Sequence, residues 1–498
     1  MHTLRVPGDG ALRPAGRGDV IAALAPTPTA NYGMVAVTWD QGTAPDSLAV
    51  QVRSRVDGVW TPWQPLEVDL DEGPSSAEEG DVRDGTAPAW VGRADGVAVR
   101  VTAPDGRRPT GVQVVTIDPG NPAAETAGSR LRAAAASNGR PIPRAPKFPA
   151  MPNIVSRKQW GANPKLGDSC WDPLYGSSAR MVFIHHTVNS NDYSRTDGPA
   201  IMRSIHAYHT QSRGWCDIGY NFLVDRYGTI YEGRRGGMRL PVRGAHAGDY
   251  NTNSVGISMI GNFDEAEVPR GMKNALVRLV GWRLGTSYAP ALGGLRLNGT
   301  RFHRIAGHRD AMSTTCPGRY GYDWLPRLRH RVADYLGRFD SKIEAKGDRL
   351  GKDVTGPVFI GELNIGDGRR TEFGKGAMFV KAGAGTHWLS GRALNAYRRM
   401  HGPRGRLGFP RTDVRATAVA GVTTLAFEHG RTFLVPSRPP RTLWGRVLQR
   451  YTKRGSVSGN LGLPTSSLIV DDVTERARFQ HGTISLNRST GEITVTPR

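Results

Sequence analysis

Three sets of anchor residues recur at nearly one spacing along the last third of the chain, and this recurrence restricts the fold more than any other feature. Leu350-Gly351, Leu407-Gly408-Phe409-Pro410 and Leu461-Gly462-Leu463-Pro464 lie 57 and 54 residues apart. Phe373-Gly374-Lys375-Gly376, Phe427-Glu428-His429-Gly430 and Phe479-Gln480-His481-Gly482 follow at 54 and 52, and Gly391 and Tyr397 return after 54 as Gly445 and Tyr451. Several anchor sets at one period mark a tandem array. Residues 338–498 are therefore expected to form a β-rich array of three units, the first of them degenerate. His429 and His481 adjoin repeat glycines and read as turn positions, not ligands.

The remaining two thirds need a different account. A chain of 498 residues has room for about three domains. Its 63 glycines and 34 prolines imply many turns and much β structure. No stretch approaches the roughly 18 apolar residues of a membrane span, so no transmembrane segment is expected. Over residues 1–118 short alternating runs such as Met34-Val35-Ala36-Val37-Thr38-Trp39 and Gly96-Val97-Ala98-Val99-Arg100-Val101 predict a sandwich-like all-β domain. Trp60, Trp63 and Trp90 are expected in its core rather than stacked on sugars. Residues 119–152, with an alanine run and repeated prolines, read as a linker that holds domains apart. The first 30 residues lack a signal peptide: the longest apolar run, residues 20–25, stops at Pro26.

The net charge of +22 is unevenly distributed. Residues 1–118 carry 10 basic and 16 acidic side chains, a balance of −6, whereas residues 119–337 and 338–498 are each +14. A polyanionic partner is favoured. Without zinc-finger spacing, an RNA-binding aromatic signature or an isolated basic helix, nucleic acid is not expected.

Chemistry concentrates in residues 153–337. Met181-Val182-Phe183-Ile184 reads as a buried strand ending in His185-His186-Thr187, and alternation lets only one of the two histidines face a given site. Helical spacing from Ile201 ends at His209, and further strands are expected around residues 220–224, 229–233 and 254–261. His308 then precedes Cys316 by eight residues. Two imidazoles and a thiolate would leave the fourth position of a catalytic zinc open. By spacing alone this signal is weak, and packing is the commoner use of such residues.

The surrounding words narrow this. IHHT, YHTQSRGWCDIGYNFLV, GTIYEGR, GAHAGDYNTNSVGISMIGNF and AGHRDAMSTTCPG occur in this order over about 150 residues. Together they closely resemble the amidase-2/peptidoglycan-recognition-protein family, which includes phage T7-type lysozyme amidases. The LGFP/LGLP segments with FEHG/FQHG resemble LGFP repeats of actinobacterial cell-wall proteins. The resemblance implies a mixed β-sheet flanked by helices, with Zn2+ in a surface groove held by His185, His308 and Cys316. It makes Tyr220 and Thr314 catalytic, the latter at a position that is Lys in phage enzymes. It sets His209, Trp215, His246 and Asn251 along the substrate groove. The implied activity is that of an N-acetylmuramoyl-L-alanine amidase: zinc activates water and polarises the lactyl–L-alanine amide, while Tyr220 and Thr314 stabilise the oxyanion. Tyr220 or a groove histidine would protonate the leaving amine.

Similar actinobacterial amidases carry a cysteine pair matching Cys170 and Cys216, and a disulfide between them would stabilise the fold by about 3–4 kcal/mol in an oxidising compartment. Cys316 remains as the ligand. His186, His206 and His303 are expected to be structural, as is Glu232; Arg234 and Arg235 would contact a peptide carboxylate or remain solvated. The expectation is thus a monomeric, secreted peptidoglycan amidase whose basic repeats meet anionic wall polymers, with its start trimmed or misassigned. The rival is a peptidoglycan-binding protein without hydrolysis.

Overall fold

The structure, a computed structural model, describes residues 1–7, 20–70, 72–74, 82–120, 148–167, 170 and 172–498. Most of the expected linker lies outside these residues. The chain divides into two compact units, residues 1–339 and 340–498.

In the first unit the alternating runs near the N-terminus form antiparallel strands. The long strands Val20–Asp40 and Ala89–Thr102 pair with each other, flanked by Gln113–Ile117 and Ala49–Val56. Val35, Val37, Val50, Val52, Val97 and Val99 fill the interior. Trp90 is buried, but Trp60 and Trp63 are only half-buried. That corrects the core expectation for the latter two: the Arg53 guanidinium lies over both rings and Arg100 over Trp63, so cations cover faces that apolar neighbours were expected to cover.

Next comes a six-stranded mixed sheet, in the order Ile154–Val155, Ile230–Glu232, Phe222–Val224, Ser254–Met259, Met181–His186 and Ile305–Gly307. Only the pair 222–224 and 230–232 is antiparallel. Met181–His186 runs between two parallel neighbours and every residue in it is buried, which is why its sequence is continuously apolar rather than alternating. One core joins the sheet to the helices Arg270–Gly285 and Arg319–Leu336 through Leu276, Leu279, Trp282, Leu328 and Val332.

A second core contradicts the expected separation of domains. Met34, Ala36, Val115 and Ile117 of the N-terminal strands pack with Ile201, Met202, Ile205 and Tyr208 of the helical segment that begins at Gly198. The Tyr208 hydroxyl also donates to the Thr86 carbonyl at 2.6 Å. Fully burying an aliphatic or aromatic side chain contributes about 1.5–3 kcal/mol, so a core of this size holds the N-terminal strands firmly on the α/β domain. A proline-rich connection does not prevent docking when both surfaces are apolar.

The second unit contains three four-stranded antiparallel sheets, Val358–Ser390, Arg415–Trp444 and Ile469–Pro497. The recurring anchors have equivalent roles. Tyr397 and Tyr451 each donate a 2.6 Å hydrogen bond to the Gly408 and Gly462 carbonyls, and stack on Phe427 and Phe479. Gly408 and Gly462 have positive φ, a conformation glycine adopts without strain. His429 is exposed beside the turn, in line with a structural reading.

Candidate metal centre

Register brings the donors together. Ile184 pairs with Gly307, so the next residues along the two chain segments, His185 and His308, meet at the sheet's carboxyl edge with ring centroids 4.5 Å apart. Cys316 arrives from the subsequent loop, where its Sγ accepts from the His186 backbone N–H at 3.3 Å and its own N–H is capped by the Thr314 hydroxyl at 3.2 Å. Donor atoms of His185, His308, Cys316 and a fourth residue, Glu72, all lie within 4.8 Å of one another. Tyr220 joins them, its ring 5.2 Å from that of His185.

The chemistry of this set fits a zinc ion. His308 is buried with no hydrogen bond at Nδ1 or Nε2, which is costly unless something else engages the ring. Burial pushes the His185 imidazole down to about 3 and His308 well below its usual value, so both rings are neutral, as ligands must be. Burial drives the Cys316 thiol well above its ordinary value and the Glu72 carboxyl up to about 8, in Glu72 against a hydrogen bond from Tyr220. A cation would reverse both costs.

The second layer orients the first. His185 Nε2 lies 3.1 Å from His246 Nδ1, so a His185 that offers Nδ1 to a metal can donate from Nε2. His246 is accordingly fully buried behind His185, which corrects its expected place on the substrate groove. A Cβ on Gly244 or Gly256 would come within 2.3 Å of its ring, so both positions require glycine. Asn251 Oδ1 in turn accepts from the His246 and Ala247 N–H groups at 2.7 and 2.9 Å.

The other expected residues divide. His209 and Thr314 line the cleft with Tyr220, His308 and Cys316. His209 packs against Trp215 with ring centroids 4.4 Å apart, and its Nδ1 accepts from Gly219 N–H, which puts the proton of the neutral ring on Nε2. Trp215 and Asn251 are buried and present no surface to a substrate in this arrangement. His186 stays out of the donor set: its Nδ1 accepts from Phe263 N–H and its Nε2 lies 3.5 Å from a Glu67 carboxylate oxygen, while His206 pairs with Asp217. Glu232 caps the Arg157 N–H and stays outside the centre. Arg234 is buried rather than solvated, donating to the Ile218 carbonyl. Cys170 and Cys216 form a disulfide with a Cα–Cα distance of 5.4 Å.

Sequence reasoning missed Glu72, Glu67 and Arg213. The two glutamates belong to the N-terminal β domain and sit among many acidic residues, with no motif to single them out. Arg213 stands inside a quoted motif, but its role depends on a segment more than a hundred residues away.

An α/β domain with two histidines, a cysteine and a tyrosine converging at the sheet edge is of the amidase-type hydrolase class. A family model described as N-acetylmuramoyl-L-alanine amidase matches residues 175–319, and one described as Rv3811 N-terminal galactose-binding domain-like matches residues 6–130. Peptidoglycan-recognition protein SC1a/b of Drosophila simulans is 34% identical over 182 residues, covering 36% of this chain and 86% of that protein. Peptidoglycan recognition protein 1 of Bos taurus is 34% identical over 179 residues, 36% of this chain and 85% of its own length. Among solved structures, wild-type Drosophila PGRP-LB is 31% identical, covering 38% of this chain and 96% of its own, with a TM-score of 0.29. The chain belongs to the N-acetylmuramoyl-L-alanine amidase/peptidoglycan-recognition protein family.

Proposed function

We propose that this protein is a secreted zinc-dependent N-acetylmuramoyl-L-alanine amidase that cleaves the bond between N-acetylmuramic acid and L-alanine in peptidoglycan. The convergence of His185, His308 and Cys316 beside Tyr220 carries the reading, because a binding module has no use for a complete donor set. These three side chains would hold the ion. When bound, it would supply Lewis-acid polarisation of the amide and activation of water.

The chain's own groups do the rest. The Tyr220 hydroxyl points a hydrogen bond into the centre and would serve negative charge developing on the carbonyl oxygen. The Thr314 hydroxyl, which accepts from Cys316 N–H and donates to Glu67 at 3.4 Å, would serve the same purpose once its proton leaves Glu67. His209 Nε2 or Tyr220 would deliver the proton to the leaving amine. The repeat region, residues 338–498 with a balance of +14, would hold the enzyme on anionic wall polymers as LGFP repeats. The disulfide agrees with an oxidising compartment outside the cell.

Metal analysis of the purified protein beside release of free L-alanine amino groups from purified wall tests the reading. One zinc per chain with product supports it, while wall binding with neither zinc nor product favours the rival. Tyr220→Phe should keep zinc and lower kcat about 10²-fold, the usual effect of one oxyanion donor; an unchanged kcat would remove Tyr220 from the mechanism.

A further inference from the structure

The centre also holds a side chain from outside the residues that match the amidase family model. Glu72 lies in the loop after the strand Val68–Asp69 of the N-terminal domain, 113 residues before His185. Its Oε1 is 3.0 Å from His185 Nδ1 and 3.6 Å from His308 Nδ1, and its Oε2 accepts from the Tyr220 hydroxyl at 2.6 Å. A catalytic zinc keeps its fourth position for water and substrate. Here a carboxylate oxygen occupies the common volume of the donors, with the group expected to stabilise the transition state already bonded to it.

The described residues on either side of Glu72 are held by several hydrogen bonds. Arg213, fully buried, donates to the Asp69 carboxylate at 2.9 Å and to the Glu72 carbonyl at 3.3 Å. Asn251 donates to the Gly73 carbonyl at 3.1 Å. On the other side Glu67 accepts from the Thr315 and Thr314 hydroxyls at 2.8 and 3.4 Å. The segment therefore engages Tyr220, Thr314 and Asn251, residues expected to meet the substrate, with the acidic side chains Glu67 and Glu72.

Building on the zinc amidase reading, we propose that Glu72 is a fourth protein ligand of the metal and that residues 66–70 and 72–74 form an internal pseudosubstrate, so that the protein folds in a latent state. Wall peptide must displace this segment to reach the ion. The shared core keeps the N-terminal domain in place, so release is a local movement of the loop rather than a separation of domains.

Full-length Glu72→Gln provides the test, since glutamine preserves side-chain shape and can still accept from Tyr220. The protein is loaded with zinc or cobalt; chelator competition and the cobalt visible spectrum are read beside hydrolysis of a soluble muropeptide. Loss of a carboxylate ligand should weaken zinc by about tenfold or more, shift the cobalt bands and raise kcat/KM by a similar factor. Glu72→Ala, read the same way, guards against glutamine acting as a ligand. Unchanged affinity and spectrum in both variants would overturn the proposal while leaving the amidase reading intact. Unchanged affinity with lost activity would overturn it too, making Glu72 a catalytic residue instead. A wild-type protein that takes up no metal would overturn both readings.

Discussion

Cys316→Ala is expected to abolish stoichiometric zinc and to reduce peptidoglycan hydrolysis by at least about 10³-fold, the equivalent of roughly 4 kcal/mol of transition-state stabilisation. The thiol is buried, its Sγ held by the His186 N–H, and it supplies the only sulfur among donors that lie within 4.8 Å of one another. His308→Ala should behave alike, because neither of its ring nitrogens has a hydrogen bond among the described residues to occupy it in place of a metal. Metal content by mass spectrometry and amine release from purified wall measure the two effects separately. Full zinc occupancy in Cys316→Ala would place the metal elsewhere. Retained hydrolysis without zinc would refute a metal mechanism.

Asp217→Ala should destabilise the first unit by about 3–5 kcal/mol, the range seen when one member of a buried ion pair is removed. Asp217 is buried, with Oδ1 3.0 Å from Arg157 Nη1 and 3.3 Å from His206 Nε2. It also accepts from the Ile218 and Arg235 N–H groups at 2.8 Å each. Burial acts to raise its pKa, but the hydrogen bond to His206 and the charge of Arg157 outweigh it and hold the carboxyl well below the usual range. The sign follows directly. Its contribution is complete above the unfolded carboxylate value of about 3.9 and is lost as acid takes the pH down towards the lower folded value. Urea unfolding of Asp217→Ala at neutral pH measures the cost, and a change under about 1 kcal/mol would refute it. Because Asp217 lies between Cys216 and Tyr220, the same variant should loosen the loop that presents Tyr220.

Much of the centre was legible because the letters of the motifs are local requirements. Gly256 in the strand Ser254–Met259 is there because a side chain would strike His246, and Asp217 follows Cys216 because the turn needs a buried anion. The recurrence near 54 residues is likewise visible, since each unit repeats one tyrosine–glycine hydrogen bond and one tyrosine–phenylalanine stack. His246 misled, because a histidine in a groove-like motif reads the same whether it faces substrate or supports a ligand. Trp60 and Trp63 misled for a related reason: a tryptophan between turns does not disclose that arginines from the neighbouring strands will cover it.

By itself the amino-acid sequence determined the strands, the tandem units and the residues able to hold a metal, since each rests on short-range periodicity or on side-chain chemistry. Tertiary structure alone decided what meets the metal site. Docking of Met34, Ala36, Val115 and Ile117 onto the segment Ile201 to Tyr208 brings a glutamate from 113 residues upstream against His185. Apolar packing is non-directional and leaves no motif, so neither the docking nor the closed centre it produces could be read from the order of residues.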